Sequence, residues 1–450
     1  MPRANDHILA NPNLGKLLTE LSVPAIIGMF IMSTFNVVDT IFVGHGVGML
    51  GIAGVAVVFP VNVIVLAIGQ LIGMGSASII SRAIGSKDIA KANRALGNML
   101  SMIIFLSIII TVFGQIFIDD LLRLMGATPD ILPFAHAYLR IVLFDTLFRC
   151  ILISSNNVIR SEGRAKVSMA LLIITAVINT ILDPIFIFWL DMGVKGAAIA
   201  TLISQGLGAI YAFYFYFSKK TVLTPKLADF VPDFRIIRET FGVGMASLAR
   251  NVSSSVLVVI MNYKLAHHGG DVAIAVLGVV HRLTFLAFTP LIGIAQGFQP
   301  IAGYNYGARK YSNVRKLIEI STKRSTIIGI ITCAVLIAFP GIFIRLFTRD
   351  EELIRMAIPA LRISAITLPI IGAQTVWAIM FQALGHSWRA FILTASRQLI
   401  FLIPLVLILP AHFGWLGVFY SMPIADVLAT AVTLVFLIAA LKAFPEDAPV

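Results

Sequence analysis

Ile178-Asn179-Thr180-Ile181-Leu182-Asp183-Pro184-Ile185 lies inside an otherwise apolar segment that runs from Val167 to Leu190. A bilayer-spanning helix needs about 20 apolar residues, so this segment is long enough to cross a membrane and carries a carboxylate into it. An ionisable residue there is costly, and function is the default reading once a partner or a water-filled cavity is named. Asn179 precedes Asp183 by one helical turn, which puts both side chains on one face. Pro184 has no N–H to donate, so the Thr180 carbonyl loses its usual partner and the helix loosens beside the carboxylate. Two oxygen-bearing side chains and a freed carbonyl are therefore expected together.

Segments of the same kind recur along the 450 residues. With 58% hydrophobic and 12% charged residues and a mean hydropathy of +0.95, the composition excludes a set of soluble domains and reads as an all-α polytopic membrane protein. Strands of an outer-membrane barrel would be about half as long and alternating. The first fifteen residues are polar and contain Pro2 and Pro12, so no cleavable signal is expected. Cys150 and Cys333 fall in apolar segments and are expected to be buried free thiols. The net charge of +12 could suggest nucleic acid or acidic lipid, but its distribution follows membrane topology.

The spans predicted for the first half are Leu17–Phe42, interrupted at Pro24, then Ile52–Ser81, Leu96–Ile118, Leu132–Asn157, Val167–Leu190 and Ala197–Phe217. Six more are centred near Leu257, Phe288, Ile330, Ile371, Leu402 and Val432. The longest connector, Ser218–Arg238, is rich in cations and is read as the linker between an N-lobe of residues 1–217 and a C-lobe of residues 239–450. Every strongly basic loop falls on one side: Arg82 to Arg94, Arg160 to Lys166, the linker, and Arg309 to Lys316. The positive-inside rule makes that side cytoplasmic and places both termini there.

A spacing of about 222 residues pairs Gly85 with Gly307, Arg123 with Arg345, Arg140 with Arg362 and Gly163 with Gly385. Six spans cover that distance, so the halves share one orientation and are parallel repeats about an axis along the membrane normal. At about 1.5 Å per residue, Asp183 and Asp39 both lie in the outer half of the bilayer, and Thr201 enters from outside to the same depth. Two carboxylates in a poorly solvated pocket cannot both stay charged without compensation. Hard oxygen ligands suit a proton or Na⁺, and Pro24 gives the first span a place to bend. Asp145 and Arg149 are read as a structural pair one turn apart, and Arg140 and Arg362 as interhelical anchors or snorkelling cations. Arg250, His281 and Arg282 could cluster with Asp426, and Asn156 could line a cavity or cap its helix. No metalloprotease, phosphate-loop or dinucleotide motif is present, so an enzyme is not expected, and His267-His268-Gly269-Gly270 reads as a turn.

This charge placement on twelve spans resembles the multidrug and toxic compound extrusion (MATE) family over essentially the whole chain. The residues that carry the resemblance are Asn36-Val37-Val38-Asp39 through Val43-Gly44, Ser81-Arg82-Ala83-Ile84-Gly85, Asn179-x-x-x-Asp183-Pro184, and Gln299-Pro300-Ile301-Ala302-Gly303-Tyr304-Asn305-Tyr306-Gly307. The Asn179–Asp183 motif looks like the DinF-like branch. The resemblance implies two six-helix bundles around a central cavity, with a cation-coupling site of Asp39, Asn179, Asp183 and Thr201 that takes H⁺ or Na⁺. It also places Asn156 in the N-lobe drug cavity. The NorM-like branch has an acidic residue in its seventh span, whereas Ala249-Arg250-Asn251-Val252 has none, so coupling is expected to rest on the N-lobe. The implied protein is a monomeric efflux antiporter of a prokaryotic inner membrane, without a cofactor, exporting hydrophobic or cationic organic compounds by alternating access. Arg140, Arg250, Arg282 and Arg362 keep open a second reading, a flippase for lipid-linked oligosaccharides. A polytopic enzyme acting on lipid is the third.

Overall fold

A computed structural model of the chain describes residues 8–218 and 220–447. The polar start with Pro2 lies partly outside the described residues, as do Lys219 of the linker and the side chains of Asn36, Val37 and Thr40 in the quoted motif. The first half contains α1 (Leu14–Gly46), α2 (Gly48–Gly85), α3 (Ile89–Ile116), α4 (Ile118–Leu124), α5 (Leu132–Ser161), α6 (Ala165–Pro184) and α7 (Gly193–Tyr216). The second contains α8 (Phe234–Gly307), α9 (Tyr311–Ala338), α10 (Pro340–Arg345), α11 (Glu351–Ala365), α12 (Leu368–Ala383), α13 (Ser387–Ala395), α14 (Ile403–Ile408), α15 (Pro410–Phe413) and α16 (Leu416–Lys442).

Among the described residues nine helices are long and apolar enough to cross a membrane, and α11 with α12, bent by 46°, forms a tenth. An eleventh comes from α8, whose 74 residues break at Gly270 (φ 64°, ψ −164°) into two spans. Glycine tolerates that conformation because it has no Cβ. The twelfth is α5, which carries Arg140, Asp145 and Arg149 and so fails on apolarity rather than length. Twelve spanning helices in two six-helix bundles result.

The repeat shows in the backbone. Gly163 and Gly385 close their helices at φ 80° and 79°, and Lys87 and Arg309 adopt φ 63° and 56°. Each pair keeps the sequence spacing, so equivalent turns use equivalent left-handed residues. Arg140 and Arg362 also serve equivalent junctions. Gln115 Nε2 donates to the Arg140 carbonyl (2.7 Å), joining α3 to α5, and Arg362 Nε donates to the Ile337 carbonyl (3.2 Å), joining α11 to α9.

Two compact units form in space, one of Ile27–Gly244 and one that joins residues 8–26 to residues 245–447. In the first, small residues let α2 and α5 approach closely. Ser154 Oγ donates to the Gly69 carbonyl (2.9 Å), and a Cβ on Gly73 would stand 2.7 Å from Ser154 Cα. The connector lies on this unit, and α8 enters it through Glu239, paired with Arg82 (2.8 Å) and Lys91 (3.1 Å). In the second unit the start of α1 packs on α8 through Ser22 and Gly297, and Arg324 of α9 donates to the Gly15 carbonyl (2.8 Å). Helix α1 thus belongs to one unit up to Ile26 and to the other from Ile27, and Pro24 lies next to that change. Cys150 is a buried free thiol, while Cys333 is only half-buried because its helix face is not fully covered.

Candidate functional site

Helix α6 ends at Pro184, and the chain continues in a π-helical turn over Ile185–Trp189. The missing proline N–H removes one rung of the ladder, and the backbone widens to carry the extra residue. Leu190 N–H then closes the turn on the Ile185 carbonyl (2.9 Å). Such turns are frequent at functional sites, and this one directly follows Asp183.

Asp183 is fully buried and Asn179 nearly so. Asn179 Nδ2 donates to Asp183 Oδ1 (3.3 Å) and to Thr201 Oγ1 of α7 (3.4 Å). Both bonds are long for an amide donor, as expected of one N–H₂ group stretched between two acceptors. The Asp39 carboxyl of α1 stands within hydrogen-bonding reach of Asp183. All four residues of the expected coupling set are therefore brought together.

Two ionised carboxylates in contact are both acceptors and repel, whereas one proton between them makes a hydrogen bond. Asp183 Oδ2 and Asn179 Oδ1 are buried without a donor among the described residues. Buried acceptors left unpaired are expensive, and a proton or a hard cation would satisfy them. The donor set, two carboxylates with an amide and a hydroxyl oxygen, suits Na⁺ by the same chemistry that suits other hard ions.

Helix α5 supplies further neighbours, Asp145 and Arg149, which the sequence reading took only as a structural pair, and Tyr138, which it passed over. Tyr138 lies within electrostatic reach of Asp39, Asp183, Asp145 and Arg149, and Arg149 within reach of Asp39. The available signal was spacing: Tyr138, Asp145 and Arg149 fall at intervals of seven and four, on one helix face. Arg149 Nε donates to Asp145 Oδ2 (2.9 Å), as the pair reading expected, and Nη1 donates to Asn62 Oδ1 of α2 (2.5 Å).

Asn156 lies five residues inside α5 rather than at its end, so it is not that helix's cap. Its Nδ2 donates to Ser168 Oγ (2.8 Å) and to the Ser168 carbonyl (3.1 Å), tying α5 to α6. Arg250, half-buried, and Arg282, exposed, lie on α8 in the other unit and are not among the four residues. Asp426 does not bond to Arg250, His281 or Arg282. It accepts instead from Arg397 Nε (2.6 Å) and Thr367 Oγ1 (2.8 Å). Arg397 reaches it from a second π-helical segment, Ser396–Leu402, a change of helical phase that periodicity alone does not reveal. His267 and His268 are helical and pack edge to face, and of the stretch read as a turn only Gly270 leaves the helical conformation, at the break in α8.

The MatE family model matches residues 24–185 and 246–408. The multidrug export protein MepA of Staphylococcus aureus (strain NCTC 8325 / PS 47) is 26% identical over 425 residues, which cover 94% of each chain. A crystal structure of MATE in complex with MaL6 superposes with a TM-score of 0.92 at 28% identity, covering 99% of each chain. The outward-facing conformation of a multidrug resistance MATE family transporter of the MOP superfamily gives a TM-score of 0.91 at 28% identity, covering 97% of this chain and 98% of that one.

Proposed function

The chain belongs to the MatE family, and from that premise we propose that it is a multidrug efflux antiporter that drives export of hydrophobic and cationic organic compounds with inward H⁺ or Na⁺. The observation that carries the coupling role is the contact of Asp39 with Asp183 beside Asn179 and Thr201, with two buried oxygens left without donors among the described residues. A ligand shifts a conformational equilibrium only through its different affinity for the two states, so drug and ion must favour different ones. When the pair takes up a proton or cation, the charge of Asp39 or Asp183 is neutralised, the repulsion between the carboxylates or their attraction to a cationic drug is removed, and α1 bends at Pro24. When the pair is empty, that bend is not favoured and a cationic drug is held. Each unit has its own candidates for substrate contact, Asn156 in the first and Arg250 and Arg282 in the second. The protein works as a multi-pass monomer of the plasma membrane with both termini cytoplasmic, an N-lobe over residues 1–217 and a C-lobe over residues 239–450.

Efflux from proteoliposomes under separately imposed H⁺ and Na⁺ gradients tests this reading. One of the two gradients should drive export in the wild type, and Asp39→Asn should lose the response while still inserting and folding. Full gradient-driven export by Asp39→Asn would refute it.

A further inference from the structure

The connector lies on the first unit as a fixed strap. Asn98 Nδ2 donates to the carbonyls of Asp229 (3.1 Å) and Val231 (3.2 Å), and Asn98 Oδ1 accepts from Asp233 N–H (2.7 Å). Ser101 Oγ adds a bond to the Phe230 carbonyl (2.8 Å). Gly97 lets the strap sit on α3, because a Cβ there would collide with the Asp229 carbonyl. Backbone held this firmly presents its side chains in fixed directions, and three large apolar ones point outward among the exposed cations Lys226 and Arg235: Leu227 is 90% exposed, Phe234 82% and Val231 66%.

Val231 and Phe234 line a cavity of about 480 Å³ together with Arg94, Arg235 and Asp233. Its charge is unbalanced. Asp233 stands 3.9 Å from Arg94 in a loose, half-exposed pair, and Arg235 is exposed beside it. Helix α3 sets the depth. Arg94, Asn98, Ser101, Phe105, Ile108 and Val112 follow alternating spacings of four and three, which is one helix face. The strap covers that face at Asn98 and Ser101, and below it Phe105, Ile108 and Val112 are exposed apolar residues of a membrane-spanning helix. The cavity therefore sits where a lipid-facing surface meets the basic side of the protein.

We propose that this pocket binds the headgroup of an anionic phospholipid, with Arg94 and Arg235 on its phosphate and its chains lying along the exposed face of α3. Leu227, Val231 and Phe234 enter the interfacial layer around the glycerol. Held apolar side chains flanked by cations are what that layer stabilises, and basic pockets at helix ends recognise acidic headgroups. The strap joins α7 to α8, so the bound lipid would fix the link between the two repeats.

The test uses the full chain purified in detergent, with added phosphatidylglycerol or phosphatidylethanolamine retained by the protein and counted by native mass spectrometry. Wild type should retain phosphatidylglycerol preferentially. Arg94→Gln with Arg235→Gln should lower that retention about 25-fold, at about fivefold per cation, whereas Arg309→Gln with Lys310→Gln, an exposed basic pair in another loop, should leave it unchanged. Phe234→Ser should weaken both lipids while keeping their ratio. Excess glycerol phosphate, the same phosphate without chains, should not compete. Undiminished retention by the Arg94/Arg235 variant, an equal loss in the Arg309/Lys310 variant, or displacement by glycerol phosphate would overturn the assignment, the last in favour of a soluble-anion site.

Discussion

Glu162 predicts a connector that tightens as pH falls. The residue follows α5, outside the spanning segments, and is 1% exposed. Its Oε2 accepts from Thr221 Oγ1 (2.7 Å) and Val222 N–H (3.1 Å), pinning the start of the strap, while Oε1 is buried without a donor among the described residues. Burial pushes its carboxyl up to about 7, against the lowering effect of those two bonds and of nearby Arg164; Tyr216 of α7 also faces it. In the released strap the carboxyl returns to its ordinary value near 4.5. The closed form therefore holds its proton more tightly, and closure is favoured fully below 4.5, loses strength as pH rises to 7, and is flat above. The span corresponds to on the order of 3 kcal/mol, about tenfold in the closing constant per pH unit. Amide hydrogen exchange at Val222, corrected for intrinsic rate, should show protection falling about tenfold per unit between pH 5 and 7. Glu162→Gln should remove that slope. A flat profile in the wild type, or an unchanged slope in the variant, would refute the reasoning.

Two further predictions concern packing. Asp426→Asn should destabilise the second unit by about 3 kcal/mol, because it strands Arg397, and adding Arg397→Gln should recover most of the loss; equal melting temperatures for the single and double variants in detergent would contradict this. Gly73→Val should cost about 1–3 kcal/mol by forcing α5 away from α2, whereas Gly206→Ala, with nothing within 4 Å of the added carbon, should be neutral or stabilising by a few tenths of a kcal/mol; thermal melting separates the two.

The parts legible in the sequence were those fixed by local chemistry. Asn179, Asp183 and Pro184 announced the site through their spacing, and depth along the spans brought Asp39 and Thr201 to it before any contact was known. The duplication was visible through Gly163 and Gly385, because a left-handed turn restricts residue choice strongly enough to survive divergence. Contacts that depend on which helix faces meet were not legible. The Arg397–Asp426 pair needs a π-helical phase change, and Pro369 at the start of α12 marks the break after α11 without setting its 46° bend. The docking of Ser218–Arg238 on α3 was hidden for a different reason. It depends on Asn98 bonding backbone atoms, and backbone acceptors leave no sequence pattern.

The most direct test of the coupling site is drug-triggered ion release from purified protein, read by proton release in weak buffer and by ²²Na⁺ binding. Adding a transported drug should expel one of these ions from the wild type, and neither from Asp39→Asn or Asp183→Asn that still bind the drug. Undiminished release from Asp183→Asn would contradict a coupling site built on the Asp39–Asp183 contact.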